Sequence, residues 1–320
     1  FSFALTEVER SLATLDGAIR ETLRFSGETV PLDYGAGIGK TAFTKRFPLG
    51  VILCITPFNF PLNLLMHKIA PALAVGCSVI IKPPPQAPLS ALALTALINQ
   101  VGYPDGAVNL INCDVSLAEK MVKDERIAML SFTGSAKVGW YLKNICGKKK
   151  VALELGGNAP IIIDEINHMP NIAKTIAIGA FLYAGQICIS TQRIYVNENI
   201  YDNFLKLFLE EIQKLKCGDP KNPETIVGPV IDKSNYHRIQ QWIEEAIQKG
   251  AKLLTNGICD ESHHFIAPTL LTSTKKDMKV VSEEVFGPVA IIEKYKTFAD
   301  AIQFCNDSQY GLQAGVFTNN

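Results

Sequence analysis

An excess of charge of either sign is missing from this sequence: 31 basic and 31 acidic side chains cancel over 320 residues. The balance removes any overall electrostatic pull toward nucleic acid or an acidic membrane surface. The one dense basic run, Lys148-Lys149-Lys150, reads as a solvated loop. Paired cysteines are missing too. Eight are scattered at Cys54, Cys77, Cys113, Cys146, Cys188, Cys217, Cys259 and Cys305, with no C-x-x-C pair and no secretory leader in view. That usage favours reduced thiols in a cytoplasmic protein. The five histidines, including the adjacent His263 and His264, are not spaced with the cysteines in a zinc pattern, which argues against a metal. No apolar run is long enough to span a membrane, and no internal repeat or low-complexity tract appears.

What is present is apolar sequence in quantity, 48% of the chain, enough for about two domains at roughly 100–200 residues each. Short β-rich runs alternate with helical ones, the pattern of a parallel sheet covered on both faces. Val51–Ile55, Ser78–Ile81, Val108–Ile111 and Ile127–Phe132 read as strands. Helices are expected from Pro61, with Leu62, Leu65, Ile69 and Leu73 on one face, from Pro88 to Val101, and from Ser135 toward Cys146. After Gly157 the alternation resumes with a strand at Ile161–Ile163, a helix over about Asn171–Tyr183 and a strand at Arg193–Val196. Amphipathic helices follow near Tyr201–Leu215 and Tyr236–Lys249. The fold class is therefore α/β, a Rossmann-like nucleotide-binding domain followed by a second α/β domain.

Cys188, in Gly185-Gln186-Ile187-Cys188-Ile189-Ser190, closes an apolar, helical-looking run. An isolated cysteine there is usually a small buried hydrophobe. Upstream, Glu154 interrupts an apolar strand just before Gly156-Gly157, and a thiol with a buried carboxylate makes a nucleophile and a base. Strand-end turns are where an α/β sheet binds its ligand. Three such turns carry suitable groups. Thr133-Gly134-Ser135 is either an ordinary helix cap or a pyrophosphate cradle. Lys82, ahead of Pro83-Pro84-Pro85, suits a ribose or phosphate and equally a surface loop. In Thr56-Pro57-Phe58-Asn59-Phe60-Pro61, Asn59 is a turn residue or a donor to a developing oxyanion.

Together these segments resemble the aldehyde dehydrogenase superfamily, in the family's order. Pro57-Phe58-Asn59-Phe60-Pro61 is similar to its asparagine motif, Lys82 to its ribose lysine and Phe132-Thr133-Gly134-Ser135 to its phosphate turn. Glu154-Leu155-Gly156-Gly157 is similar to its general-base motif, Gly185-Gln186-Ile187-Cys188 to its nucleophile motif, and Glu283-Glu284-Val285-Phe286-Gly287-Pro288 to the segment gripping the nicotinamide ribose. The resemblance implies that Cys188 attacks an aldehyde while the Asn59 amide and the Cys188 N–H hold the oxyanion. Hydride then leaves for NADP or NAD, and Glu154 activates the water that hydrolyses the thioester, a task that a carboxylate raised in pKa by burial would suit. It places Lys82 at the adenine-side ribose, Ser135 at the pyrophosphate, and Glu284 and Phe286 at the nicotinamide ribose, with Thr56, Phe58, Gly134 and Leu155 also around the cofactor.

The same resemblance divides the chain into a dinucleotide-binding domain at 1–27 and 49–154, a protruding oligomerisation hairpin at 28–48 and a catalytic domain at 155–320. Val30 to Arg46 reads as two short strands around a glycine-rich turn, and the family's use of such a hairpin implies a homodimer or homotetramer. Family members are longer, so the chain looks like a central piece. Pro85 stands where many NAD-preferring relatives carry a glutamate, and the segment Lys82–Gln86 resembles that of NADP-dependent, non-phosphorylating glyceraldehyde-3-phosphate dehydrogenases. This inclines the cofactor toward NADP. Asn112-Cys113-Asp114-Val115-Ser116 replaces a segment that is usually glycine-rich. The run of motifs is also like that of lactaldehyde dehydrogenases, and Ile187 stands where enzymes of phosphorylated substrates tend to have arginine, so a small uncharged hydroxyaldehyde is expected. Two rivals are a CoA-acylating dehydrogenase, which usually lacks the glutamate, and an inactive structural fragment.

Overall fold

The computed structural model describes residues 1–319; Asn320, the last residue of the expected catalytic domain, lies outside the described residues. Contacts divide the chain into two compact units, one of Phe3–Glu154 and one running from Leu155 onward together with Phe1–Ser2. No helix among the described residues is long and apolar enough to cross a membrane.

The first unit runs α1 (Ser2–Thr22), β1 (Thr29–Val30), β2 (Ala42–Phe43), β3 (Val51–Ile55), α2 (Asn63–Ala74), β4 (Ser78–Lys82), α3 (Leu89–Gln100), β5 (Val108–Leu110), α4 (Val115–Lys123), β6 (Ile127–Thr133), α5 (Ala136–Ile145) and β7 (Lys150–Glu154). Five of these strands form a wholly parallel sheet in the order β5-β4-β3-β6-β7. Its central strands are the apolar runs expected to be covered on both faces: Leu53, Val79, Ile81 and Leu130 are fully buried. Each such side chain contributes about 1.5–3 kcal/mol by leaving water. Leu65 and Ile69 of α2 pack in one core with Val79 and Ile81. Between Val30 and Arg46 the two expected strands are short and antiparallel, Thr29 opposite Phe43 and Val30 opposite Ala42, joined through a tight turn at Gly35–Gly37. The Leu64 N–H bonds to the Phe60 carbonyl at 3.0 Å, so the winding of α2 reaches back to Pro61.

The second unit runs β8 (Ala159–Ile163), α6 (Met169–Phe181), β9 (Thr191–Asn197), α7 (Tyr201–Gln213), α8 (Lys233–Gln248), β10 (Lys252–Leu253), β11 (Cys259–Asp260), β12 (Phe265–Ile266), β13 (Thr269–Thr272), α9 (Lys279–Ser282), β14 (Val289–Tyr295), α10 (Phe298–Asn306) and β15 (Gly315–Phe317). Its main sheet has the order β10-β13-β14-β9-β8-β15, parallel except where β10 meets β13. Phe181, Phe204 and Phe208 fill the core beside Ile194, Leu270 and Ile292. Phe204 and Phe208, one turn apart on α7, stack with ring centres 5.7 Å apart.

Helix α6 corrects one expectation. It stops at Phe181 rather than Tyr183, and Tyr183, Ala184 and Gly185 take left-handed backbone angles of 57°, 54° and 66°. The Tyr183 N–H turns away to the Ile226 carbonyl at 3.1 Å, which ends the helical ladder. Gly185 packs so closely on the Gly287 carbonyl that a Cβ would collide with it. Cys188 therefore sits in a turn before β9, not at a helix end.

Candidate active site

In the first unit the expected residues gather at one edge of the parallel sheet. Thr56 follows the carboxyl end of β3, Lys82 ends β4, Gly134 and Ser135 follow β6, and Glu154 ends β7. These ends lie side by side because the strands are parallel; the chain steps from β3 outward through β4 to β5, then returns to β6 on the other side of β3. Ligands of such sheets bind outside the carboxyl ends near that reversal. Lys82 is buried rather than a surface-loop lysine, while Pro85 beyond it is exposed. Ser135 is the N-cap residue of α5, yet its side chain makes no cap bond. Its exposed hydroxyl is thus not consumed by the ordinary capping role.

Asn59 is buried in the bend between β3 and α2, with Phe58 half-buried beside it and Phe60 at a φ of 46°. A residue 52 positions earlier fixes this bend. Glu7 of α1 accepts the Leu62 N–H at 2.7 Å and the Asn63 N–H at 3.0 Å, capping a helix that has no side-chain cap of its own. Nothing in the local sequence announces that role. Glu154 corrects a second expectation: it is exposed, not buried, because β7 is an edge strand and Glu154 is its last residue. The buried charge nearby is instead Lys68 of α2, whose ammonium donates to Ser131 Oγ at 3.2 Å. Burial brings Lys68 down to about 8, opposed by the charges of Cys54 and Glu154. Within Asn112–Ser116, Asp114 caps α4 by accepting the Leu117 N–H at 2.8 Å.

In the second unit, Gly156-Gly157 precedes β8, Cys188 precedes β9 and Glu284 precedes β14. These three strands are adjacent and parallel, so all three segments meet at the amino-terminal edge of the sheet. The Gly157 N–H donates to Glu284 Oε1 at 3.0 Å. A Cβ on Gly156 would fall inside the Glu284 carboxylate, and one on Gly157 would lie 2.6 Å from the Cys188 carbonyl oxygen. Two glycines are what permit this approach. Cys188 and Leu155 are half-buried. Phe286, also half-buried, holds a φ of 48°, a left-handed strain of about 1–3 kcal/mol for such a residue. Arg238 of α8 helps to hold it there, donating to the Val285 carbonyl at 2.8 Å.

Two buried polar residues of β9 escaped the sequence reading. Gln192 donates to the carbonyls of Val280 and Glu283 and accepts the Val285 N–H. Arg193 donates to the carbonyls of Asn158, Phe304 and Cys305 at 2.9–3.0 Å. Polar side chains in an otherwise apolar strand were the only signal, since a buried polar group needs partners.

With this geometry in place, comparison with known proteins identifies the class. Residues 1–320 match the model of the aldehyde dehydrogenase family, and the chain belongs to that family. It is 41% identical over 316 residues to a 3-sulfolactaldehyde dehydrogenase of Priestia aryabhattai, covering 98% of this chain and 66% of that protein. It is 39% identical over 320 residues to a lactaldehyde dehydrogenase of Methanococcus maripaludis, covering 98% and 67%. Among solved structures it resembles glyceraldehyde-3-phosphate dehydrogenase GapN of Methanocaldococcus jannaschii complexed with NADP. That match has a TM-score of 0.91 and 36% identity, over 98% of this chain and 68% of the other. The chain thus spans about two thirds of the length of these relatives.

The residues present fit a dinucleotide. At the carboxyl edge of the first unit a buried lysine, a glycine and a hydroxyl at a helix N-terminus stand together, suited to ribose and phosphate oxygens. The Thr56 hydroxyl is buried there with no hydrogen-bond partner among the described residues, a cost of about 1–3 kcal/mol that a bound polar group would offset.

The Glu284 carboxyl is pushed up to about 7 by burial, against the Gly157 N–H and the Arg238 charge, which favour its ionised form. Folding raises it from 4.5, so the folded state holds the extra proton between pH about 4.5 and about 7. The contribution of Glu284 to stability should therefore fall as pH rises through that window. Denaturant unfolding of wild type and Glu284→Gln across pH 4.5–8 checks this. The stability difference should move against the wild type up to about pH 7 and then level off; a pH-independent difference contradicts the assignment.

Proposed function

We propose that the protein oxidises an aldehyde to the carboxylic acid through a cysteine thioester, with NADP or NAD as hydride acceptor. The observation that supports this best is the turn carrying Cys188, packed on Gly157 whose N–H is taken by Glu284. In this reading the Cys188 thiolate adds to the aldehyde carbon, forming a C–S bond and driving the carbonyl electron pair onto oxygen. The Asn59 amide and the Cys188 N–H hold that oxyanion, the place where fixed donors lower a barrier most. A bound nicotinamide cofactor would supply the acceptor for the hydride, leaving the substrate as a thioester on Cys188. Glu154 takes a proton from the attacking water, the C–S bond breaks, and the acid leaves with Cys188 restored as thiolate. An exposed carboxylate at a strand end has ready access to the water it would use.

Lys82 and Ser135 hold the adenosine ribose and pyrophosphate in this reading, and Glu284 the nicotinamide ribose, with Phe286 beside it. Thr56, Phe58, Gly134 and Leu155 complete the surroundings. We assign a small hydroxyaldehyde such as lactaldehyde as substrate. Support comes from Ile187, which offers no cation for a phosphate, and from the relative named for lactaldehyde; the relative named for 3-sulfolactaldehyde shares the hydroxyaldehyde but bears an anionic sulfonate. The β1–β2 hairpin is proposed as the element through which copies assemble into a dimer or tetramer. Its exposed Phe43 and Val30 support that role.

In the full-length protein, Cys188→Ala should lower kcat/KM for aldehyde by about a thousandfold or more and leave nucleotide affinity within about twofold. Glu154→Gln should retain the first hydride transfer, giving a burst of reduced cofactor and then slow turnover. Stopped-flow absorbance of NAD(P)H reads both; substantial turnover in the first variant, or an unchanged steady state in the second, contradicts the roles.

NADP should serve at least as well as NAD, because Pro85 has no side-chain acceptor for a ribose diol and no charge to repel a phosphate. The ratio of kcat/KM values decides the point. A preference of about tenfold for NAD, about 1.4 kcal/mol, contradicts it.

A further inference from the structure

Gln192 stands four residues after Cys188 near the start of β9, with 5% of its surface exposed. Its Nε2 donates to the carbonyls of Val280 at 3.0 Å and Glu283 at 2.7 Å, and its Oε1 accepts the Val285 N–H at 2.9 Å. Two carbonyls on one side and an N–H on the other allow a single orientation of the amide. Two of the three partners, Glu283 and Val285, flank Glu284, and the third, Val280, lies on α9 just before it. The Glu284 side chain takes the Gly157 N–H, and Gly157 lies against the Cys188 carbonyl. The contacts close a ring: along the chain from Cys188 to Gln192, across to Glu283 and Val285, through Glu284 to Gly157, and back to Cys188.

We propose that Gln192 is a positioning residue that sets the place of Glu284 relative to Cys188, and with it the placement of the nicotinamide ribose beside the nucleophile. The proposal rests on the reading of Glu284 as the ribose carboxylate. A buried hydrogen-bonding side chain that fixes a ligand-holding neighbour acts like the outer partners of a metal ligand, whose loss commonly costs about 10–100-fold. The segment has other anchors, which preserve its path when the glutamine is changed. Arg238 holds the Val285 carbonyl, and the Glu284 N–H donates to the Tyr310 hydroxyl at 3.3 Å. What Gln192 adds is the register between this segment and the strand that follows the nucleophile. Gln192→Leu keeps the bulk and removes all three bonds. Gln192→Glu keeps the acceptor but sets a carboxylate oxygen against two carbonyls.

The test uses both variants in the full-length protein, each alone and combined with Glu284→Gln. Either Gln192 variant should raise the KM for NAD(P) about tenfold and leave the aldehyde KM within about twofold. In the Glu284→Gln background the same changes should alter the cofactor KM less than about twofold, because the effect passes through Glu284. Equal effects in both backgrounds, or an unchanged cofactor KM, overturn the proposal. A readout without turnover is the titration of Glu284, followed by the stability difference from Glu284→Gln in the presence of the facing groups Arg238, Glu283 and Tyr310. Gln192→Leu should move that titration toward the ordinary carboxylate range, and an unmoved titration overturns the proposal. A wild type that forms no NAD(P)H with any aldehyde overturns the functional reading alone and leaves the titration to judge Gln192.

Discussion

The constraint on which the candidate site depends is the absence of side chains at Gly156 and Gly157. Without a Cβ at either position, the Glu284 carboxylate can lie on one peptide and the Cys188 carbonyl on the next. Any larger residue would push the Cys188 turn and the Glu284 carboxylate apart by more than a packed interior tolerates. The parallel order of β14, β9 and β8 brings the three segments to one edge, and the glycine pair lets them close on each other.

Each sheet presents chemistry at one end of its strands, and the two units use opposite ends. In the first, carboxyl ends deliver Lys82, Ser135 and Glu154, where strand-to-helix turns expose helix N–H groups. In the second, the segments entering the strands carry Cys188 and Glu284, and Tyr183, Ala184 and Phe286 beside them hold left-handed backbone angles. Such strain persists only where surrounding contacts over-determine it. Arg238, Gln192 and the Tyr183 bond to Ile226 supply those contacts.

Much of this was readable from the residues. The central strands declared themselves as apolar runs bounded by glycine and proline, because a parallel sheet covered on both faces requires them. Cys188, Asn59, Lys82 and Glu284 were singled out by their motifs, and the strand order brings Cys188 and Glu284 to one edge of one sheet. Gln192 and Glu7 were not, since each bonds to backbone groups far along the chain and no local spacing encodes such a pairing. The exposure of Glu154 was misjudged for a related reason: an apolar strand looks buried along its length, and only the strand order reveals that β7 is an edge. The early end of α6 depends on a bond to Ile226, again beyond the reach of local pattern.

The central claim is that Cys188, and no other thiol among the eight, carries the substrate as a thioester. Peptide mass spectrometry on the full-length protein, quenched with acid during turnover of lactaldehyde and NADP, measures this directly. An acyl group on the peptide containing Cys188, dependent on the cofactor, is the predicted result. An acyl group on a different cysteine, or none during active turnover, would contradict the account.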